Sequence, residues 1–94
     1  MIKSFKCKET EKIFNGNKSK ILSASLLEKA LIKLAMIDAS ENVDDLRIPP
    51  SNRLHKLKGG RKEEYSISIN DKYRICFKWD NNNAYDVEIN NHYK

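Results

Sequence analysis

The most regular hydrophobic pattern in the chain lies between Ser25 and about Ala39. Apolar residues recur there at intervals of three and four, in the series Leu27, Ala30, Leu31, Leu34 and Ala35, widened by Ile32, Met36 and Ile37. This spacing places them on one face of an amphipathic α-helix. Ser25, followed three residues later by Glu28, matches a capping box that satisfies backbone N–H groups of the first turn. The pattern therefore predicts a helix that packs its apolar face against another layer.

Beyond Arg53 the hydrophobic period changes from helical spacing to two. Polar residues alternate with three apolar series, which are Tyr65, Ile67 and Ile69, then Tyr73, Ile75, Phe77 and Trp79, then Tyr85, Val87 and Ile89. Turn-forming residues separate the segments, at Gly59-Gly60, at Asn70-Asp71-Lys72 and at 80–83. Such alternation is typical of strands with one buried face. We therefore predict an α+β fold, in which a three- or four-stranded antiparallel meander packs its apolar face on the helix.

The opposite face of the predicted sheet is polar and is the place where a charged ligand would lie. It carries Ser66, Ser68, Arg74, Cys76 and Lys78. Ahead of the long helix we expect an edge strand over residues 2–6 and a single turn or short helix over 8–14. After it we expect one further turn over 42–46 and a rigid connector over 49–52, where two prolines restrict the backbone. The length of 94 residues supports a single domain, 1–94.

Charge is distributed unevenly along the chain, whose net charge is +5. Residues 1–20 carry six lysines against two glutamates, and residues 53–78 carry eight basic against three acidic residues. The segments 21–52 and 79–94 are each acidic by two charges. Clustered basic charge is typical of a protein that binds a polyanion, although a solvated basic face without a partner explains it equally well. No apolar run is long enough to span a membrane and the first residues do not resemble a signal peptide, so we expect a cytoplasmic protein.

The residues available for chemistry are few. The only histidines are His55 and His92, both in the sheet half of the chain. Cleaving RNA without a metal needs a base for the 2′-OH proton, an acid for the leaving 5′ oxygen and a cation for the charged phosphorane. Two histidines with lysine, arginine and tyrosine suffice for this, although ordinary surface roles are an open alternative. Cys7 and Cys76 lack metal-ligand spacing and the acids are scattered, so we predict no metal or cofactor.

Several segments together resemble the HigB branch of the RelE-like toxins. They are Ile2-Lys3-Ser4-Phe5, Lys33 to Ala39, the run from Arg53 to Arg61, Tyr65 to Asn70, Arg74 to Trp79 and Asp86-Val87-Glu88. The resemblance covers essentially the whole chain. It implies a small microbial-ribonuclease-type fold with N-terminal helices on one face of an antiparallel sheet. It also implies a toxin that cleaves translated messenger RNA in the ribosomal A site and is neutralised by a HigA-like helix-turn-helix antitoxin.

The resemblance also assigns roles to individual residues. It implies that His55 and Lys58 take part in cleavage and that Arg74 stabilises the scissile phosphate. The family typically ends in Asp-Tyr-His, where this chain has Asn91, His92 and Tyr93. The acid has become an amide and the last two residues have exchanged order, so His92 or Tyr93 would complete the catalytic set. The residues expected to grip RNA are Arg53, Lys56, Arg61, Lys62, Lys72, Lys78 and Asn91.

Two other functions stay open at the level of sequence. The same scaffold could act without catalysis, as do the gyrase-poisoning ParE relatives, and its basic face would then bind a protein. It could also be a plain RNA-binding module. The joint occurrence of Lys58, Arg74 and a terminal His/Tyr pair favours the nuclease.

Overall fold

The computed structural model describes residues 1–19, 22–57 and 64–91, with Asn91 described by its backbone alone. The helices are α1 (Lys8–Phe14) and α2 (Ala24–Ala39), followed by 3₁₀ turns at Val43–Arg47 and Pro50–Asn52. The strands are β1 (His55–Lys56), β2 (Glu64–Ser68), β3 (Tyr73–Asp80) and β4 (Asn83–Asn91). They form one sheet of order β1-β2-β3-β4 with every neighbouring pair antiparallel. The predicted α+β fold is thus confirmed, whereas the expected Gly59-Gly60 turn lies outside the described residues.

The N-cap of helix α2 lies two residues earlier than the sequence pattern predicts. This residue is Ser23, whose backbone is extended and whose Oγ accepts a hydrogen bond from the N–H of Leu26 at 3.3 Å. Ser25 lies inside the first turn, so the predicted capping box of Ser25 with Glu28 is wrong. The helix ends at Ser40, which leaves the helical conformation and donates its hydroxyl back to the carbonyl of Met36 at 2.7 Å. No helix in the described ranges is long and apolar enough to cross a membrane.

The core forms between one face of α2 and one face of the sheet. The helix contributes the fully buried side chains Ala30, Leu34 and Ile37, and the sheet contributes Ile67, Ile75, Phe77, Ala84 and Val87. The helix residues recur at the expected spacing, and the packing of helix on sheet is as predicted. Ile32 and Ala35 are exceptions, because both are exposed although the pattern places them on the apolar face.

A β-bulge interrupts the pairing of β3 with β4. Cys76 pairs with Glu88, but the next register position pairs Lys78 with Tyr85, so two residues of β4 face one residue of β3. Asp86 adopts a left-handed backbone there, with φ of 52°. An extra residue of this kind is left out of the ladder and reverses the side-chain alternation beyond it.

The bulge changes the face on which Tyr85 lies. Cross-strand partners share a face of the sheet, so Tyr85 lies with Lys78 on the face opposite the core. Val87 and Ile89, which follow the bulge, remain with the core. The prediction that all three share the apolar face is therefore wrong for Tyr85. The register shift moves an aromatic ring to the surface that carries the basic residues.

The first residues of the chain cover the outer edge of β4. Ile2 forms a parallel bridge with Ala84, and Phe5 forms one with Val87, as expected for a short edge segment. The backbone N–H of Ile2 also donates to Asp38 Oδ1 at 2.8 Å, which ties this edge to the last turn of α2. The edge strand therefore does not present an open row of backbone groups along this stretch.

Helix α1, which the sequence predicted over the same residues, completes this edge through Thr10. Thr10 is 1 % exposed, and its Oγ1 accepts a hydrogen bond from the N–H of Ile89 at 3.0 Å. The Sγ of Cys7 lies 3.1 Å from the same hydroxyl. One buried side chain thus satisfies a backbone donor on β4 and connects the N-terminal helix to the sheet.

We expect Thr10→Val to lower the free energy of unfolding by about 1–3 kcal/mol, because the isosteric side chain leaves the half-buried N–H of Ile89 without its acceptor. Thr10→Ser keeps the hydroxyl and serves as the control, with a smaller loss from the missing methyl group. Urea unfolding followed by circular dichroism measures both. Equal stability of Thr10→Val and the parent chain would contradict this role of Thr10.

Candidate functional site

A cleft of about 280 Å³ opens where β1, β2 and the start of β3 meet. Its lining residues are Arg53, His55, Ser66, Ser68, Asn70, Asp71, Tyr73 and Arg74. Three of them, Ser66, Ser68 and Arg74, belong to the polar face that the alternation of the strands predicts. The described lining holds two arginines against one aspartate, so the cleft favours an anion over a cation.

Strand β1 positions the imidazole of His55 at the cleft. His55 pairs with Ser66 of β2, and its Nδ1 lies 3.2 Å from the backbone carbonyl of Arg53. A carbonyl only accepts, so this contact favours the form in which Nδ1 carries the proton. Nε2 is then free to take or give a proton. The hydroxyl of the buried Ser66 lies 3.5 Å from both ring nitrogens, too far to compete strongly.

Arg74 lies on β3, the strand with a partner on each side. Its backbone pairs with Ser68 of β2 and with Asn90 of β4. Its Nε is buried and has no hydrogen-bond partner within the part of the chain that the structure describes. A buried donor without a partner is unfavourable by about 1–3 kcal/mol, and more when the group is charged. Arg74 also lines the cleft, so its guanidinium group is well suited to bind a phosphate there.

The turn between β2 and β3 forms the rim of the cleft. The side-chain oxygen of Asn70 accepts hydrogen bonds from the backbone N–H groups of Lys72 at 2.9 Å and Tyr73 at 2.7 Å, which fixes the predicted turn. Asp71, at the tip, lies 3.7 Å from the guanidinium of Arg53. Both side chains are exposed, so water screens this pair and it leaves Arg53 available to a ligand.

Two of the predicted RNA-binding lysines lie at a different depression. Lys56 and Lys78 line a groove of about 390 Å³ together with Tyr65, Trp79, Asp80 and Tyr85. The Nζ of Lys56 lies 5.8 Å from the centre of the Tyr65 ring, and Lys78 is 3.6 Å from Asp86. Lys72 packs over the ring of Tyr73 at 5.7 Å. Of the described predicted RNA-binding residues, Arg53 alone lines the cleft with His55 and Arg74.

Several predicted residues lie outside the described part of the chain. They are Lys58, Arg61, Lys62, His92 and Tyr93. Asn91 is described by its backbone, which pairs with Tyr73 on β3. Its position at the end of β4 brings the chain back to the first residue of β3, next to Arg74.

Sequence reasoning did not select Asp71 or Tyr73 as site residues. The sequence pattern places Asp71 in a turn and Tyr73 in an apolar series. The signal that could have found them is their place in the chain, because both lie within three residues of Arg74, in the turn before β3 and at the start of that strand. Tyr73 is half-buried, so it contributes both to the core margin and to the wall of the cleft.

The groups gathered in the cleft can move protons and bind negative charge. Side chains that carry an imidazole, three hydroxyl groups and two guanidinium groups line the same space. Within residues 1–19, 22–57 and 64–91, no three His, Cys, Asp or Glu side chains lie close enough together to hold a metal ion. The described side chains therefore offer acid–base and electrostatic chemistry toward a phosphate ester.

Comparison with known sequences gives a consistent family. Residues 3–92 match the profile of the HigB-like toxins, described as RelE-like toxins of the type II toxin–antitoxin system HigB. Toxin HigB-1 of Vibrio cholerae is 38% identical over 93 residues, which are 98% of each chain. Endoribonuclease HigB of Proteus vulgaris is 32% identical over 85 residues, covering 90% of this chain and 91% of the relative.

Solved structures share the fold at lower sequence identity. A chain of the YoeB–YefM complex from Staphylococcus aureus superposes with a TM-score of 0.64 at 21% identity and 99% coverage of both chains. The conserved hypothetical protein HP0894 of Helicobacter pylori superposes with a TM-score of 0.58 at 18% identity, covering 100% of this chain and 98% of the other. Profile, relatives and fold agree, and the chain therefore belongs to the HigB-like family of RelE-like toxins of type II toxin–antitoxin systems.

Proposed function

We propose that this toxin is an endoribonuclease that cleaves translated messenger RNA in the ribosomal A site. Its family and its relative in Proteus vulgaris, named an endoribonuclease, support RNA cleavage. The observation that carries the proposal is the cleft itself, because His55 and Arg74 both line it. An RNA phosphodiester supplies both the anion and the exchangeable protons that these two groups require.

In the proposed reaction the 2′ oxygen attacks the adjacent phosphorus. His55 Nε2 takes the 2′-OH proton as the O2′–P bond forms, and the P–O5′ bond breaks as an acid gives its proton to O5′. Arg74 donates hydrogen bonds to the non-bridging oxygens, whose negative charge grows in the transition state. The products are a 2′,3′-cyclic phosphate and a free 5′-hydroxyl.

Residues outside the described part of the chain would complete this scheme. We propose Lys58 for phosphate contact or proton transfer, and His92 or Tyr93 for the acid at O5′. Arg61 and Lys62, with Arg53, Lys56, Lys72, Lys78 and Asn91, would hold the backbone of the message or of ribosomal RNA. The ribosome would hold the message in the conformation that in-line attack requires, and cleavage would therefore depend on translation.

The partner that restrains the toxin is an antitoxin, as the toxin–antitoxin family and the YoeB–YefM neighbour support. We propose that it is a HigA-like helix-turn-helix protein. Because messenger RNA and ribosomes are cytoplasmic, the proposal also places the toxin in the cytoplasm.

We expect Arg74→Ala to reduce message cleavage by about 10²–10³-fold, the loss typical for a donor that stabilises transition-state charge. The variant is induced in a bacterial host, and messenger RNA 5′ ends are mapped across translated frames. Arg47→Ala is the matched control, since Arg47 is exposed, pairs with Asp44 and does not line the cleft. Undiminished in-frame cutting by Arg74→Ala would contradict the role of Arg74. Growth arrest with intact messages in the parent chain would instead indicate a protein target such as gyrase.

We expect His55→Ala to lower the rate of cleavage by about 10²–10⁴-fold, as general acid–base groups typically contribute. Cleavage rates on programmed ribosomes measure this loss. Arg47→Ala is again the matched control, because Arg47 is exposed and does not line the cleft. Cleavage by His55→Ala at the parental rate would rule out His55 as a proton carrier.

A further inference from the structure

Helix α2 presents two lysines beside the cleft. They belong to the segment 21–52, whose net charge is negative. Lys29 and Lys33 lie one helical turn apart and line a groove of about 360 Å³ with Ile32, Ser51, Ser68 and Ile69. Ser68, the last residue of β2, also lines the catalytic cleft. The two depressions therefore share a wall, and a strand leaving the cleft past Ser68 would enter this groove.

A buried asparagine holds Lys33 in place. The Nζ of Lys33 donates to Oδ1 of Asn52, which is 0 % exposed. The amide of Asn52 in turn donates to the backbone carbonyl of Leu46 at 3.1 Å, which fixes its orientation. One of the three ammonium donors is thus used for positioning, and the other two remain for a ligand. A preorganised cation loses less side-chain entropy on binding than a free lysine does.

The positive charge of this pair is not neutralised within the described residues. Neither Lys29 nor Lys33 has a carboxylate oxygen within 4.0 Å there. Burial lowers the pKa of Lys33 from its ordinary value of 10.5, and the neighbouring charge of Lys29 lowers it further. Both effects mean that the charged form is under-stabilised, and an anion in the groove would stabilise it.

The groove also has an apolar component. Ile32 is 56 % exposed although it lies in the middle of a helix that packs on the sheet, and it lines the groove beside both lysines. Ile69 adds a second aliphatic side chain. Adjacent cations with an exposed aliphatic surface match a nucleotide, whose phosphate is anionic and whose base and ribose have apolar faces.

We propose that Lys29 and Lys33 form a phosphate-binding subsite for the RNA strand outside the scissile nucleotides. The subsite rests on the proposed nuclease function and extends it, because it defines a path for the substrate from the cleft, past Ser68, along α2. It acts on binding and takes no part in proton transfer. The contribution of the subsite to RNA affinity therefore depends on the length of the bound strand.

The test compares RNA length and protein variant in one binding assay. Fluorescence anisotropy measures the affinity of cleavage-resistant 2′-O-methyl RNA, either a dinucleotide or a strand of about 12 nucleotides. The variants are Lys29→Ala, Lys29→Ala/Lys33→Met, Lys33→Arg and Arg74→Ala. Lys3→Ala is the matched control, since Lys3 is exposed and lies along β4, at the edge of the sheet opposite the groove. Circular dichroism verifies that each variant is folded.

We expect the double variant to bind the longer strand about tenfold more weakly, and Lys29→Ala alone to lose about threefold, as partly exposed charge contacts typically contribute. The slope of log affinity against log salt should fall by about 0.7 for each lost phosphate contact. Lys33→Arg should retain affinity because it keeps the charge. The dinucleotide should bind all the lysine variants and Lys3→Ala equally well.

The Arg74→Ala arm separates the two proposals. If Arg74→Ala loses affinity for both RNA lengths while Lys29→Ala and the double variant lose none, the subsite is wrong and the catalytic cleft stands. If Arg74→Ala binds both strands as the parent chain does, the proposed function itself fails. If the lysine variants keep RNA affinity but bind the antitoxin more weakly, the groove is a protein interface and the RNA subsite is overturned.

Discussion

The pairing of β2 with β3 is the interaction on which both faces of the sheet depend. Its register sets Ile67 opposite Ile75 on the side that packs against α2, and Ser68 opposite Arg74 at the cleft. A slip of one residue would exchange the two faces, placing the guanidinium in the core and isoleucine in the cleft. The register that buries the apolar side chains therefore also places Arg74 at the cleft, so the fold and the site form through the same strand pairing.

The fold was largely predictable because its strongest signals are local. The helical period up to Ala39 and the period of two after Arg53 define the layers, and each survives in the structure. The predictions that failed concern features of the backbone that residue spacing does not show. Ser23 caps α2 instead of Ser25, because backbone geometry before the helix decides the cap. Tyr85 changes face because of a β-bulge, which depends on pairing with β3 and leaves no mark in an alternating pattern.

The candidate site was less predictable than the fold. His55 and Arg74 were found through resemblance to a family, since spacing alone does not show that two distant side chains share a cleft. The structure shows two features that the sequence does not. The carbonyl of Arg53 orients the imidazole of His55, and the buried Nε of Arg74 lacks a partner among the described residues. Summing charge by segment also concealed Lys29 and Lys33, because no carboxylate oxygen of the described residues lies within 4.0 Å of either ammonium group.

The account depends most on the claim that Arg74 binds the phosphate in the cleft. Nitrogen-15 NMR can observe this directly, because the Nε–H of arginine gives its own resonance. In a titration with cleavage-resistant RNA, the account predicts a large downfield shift of the Arg74 Hε resonance, with Arg47 unchanged as an internal reference. An unchanged Arg74 resonance at saturating RNA, with shifts confined to other basic residues, would contradict the account.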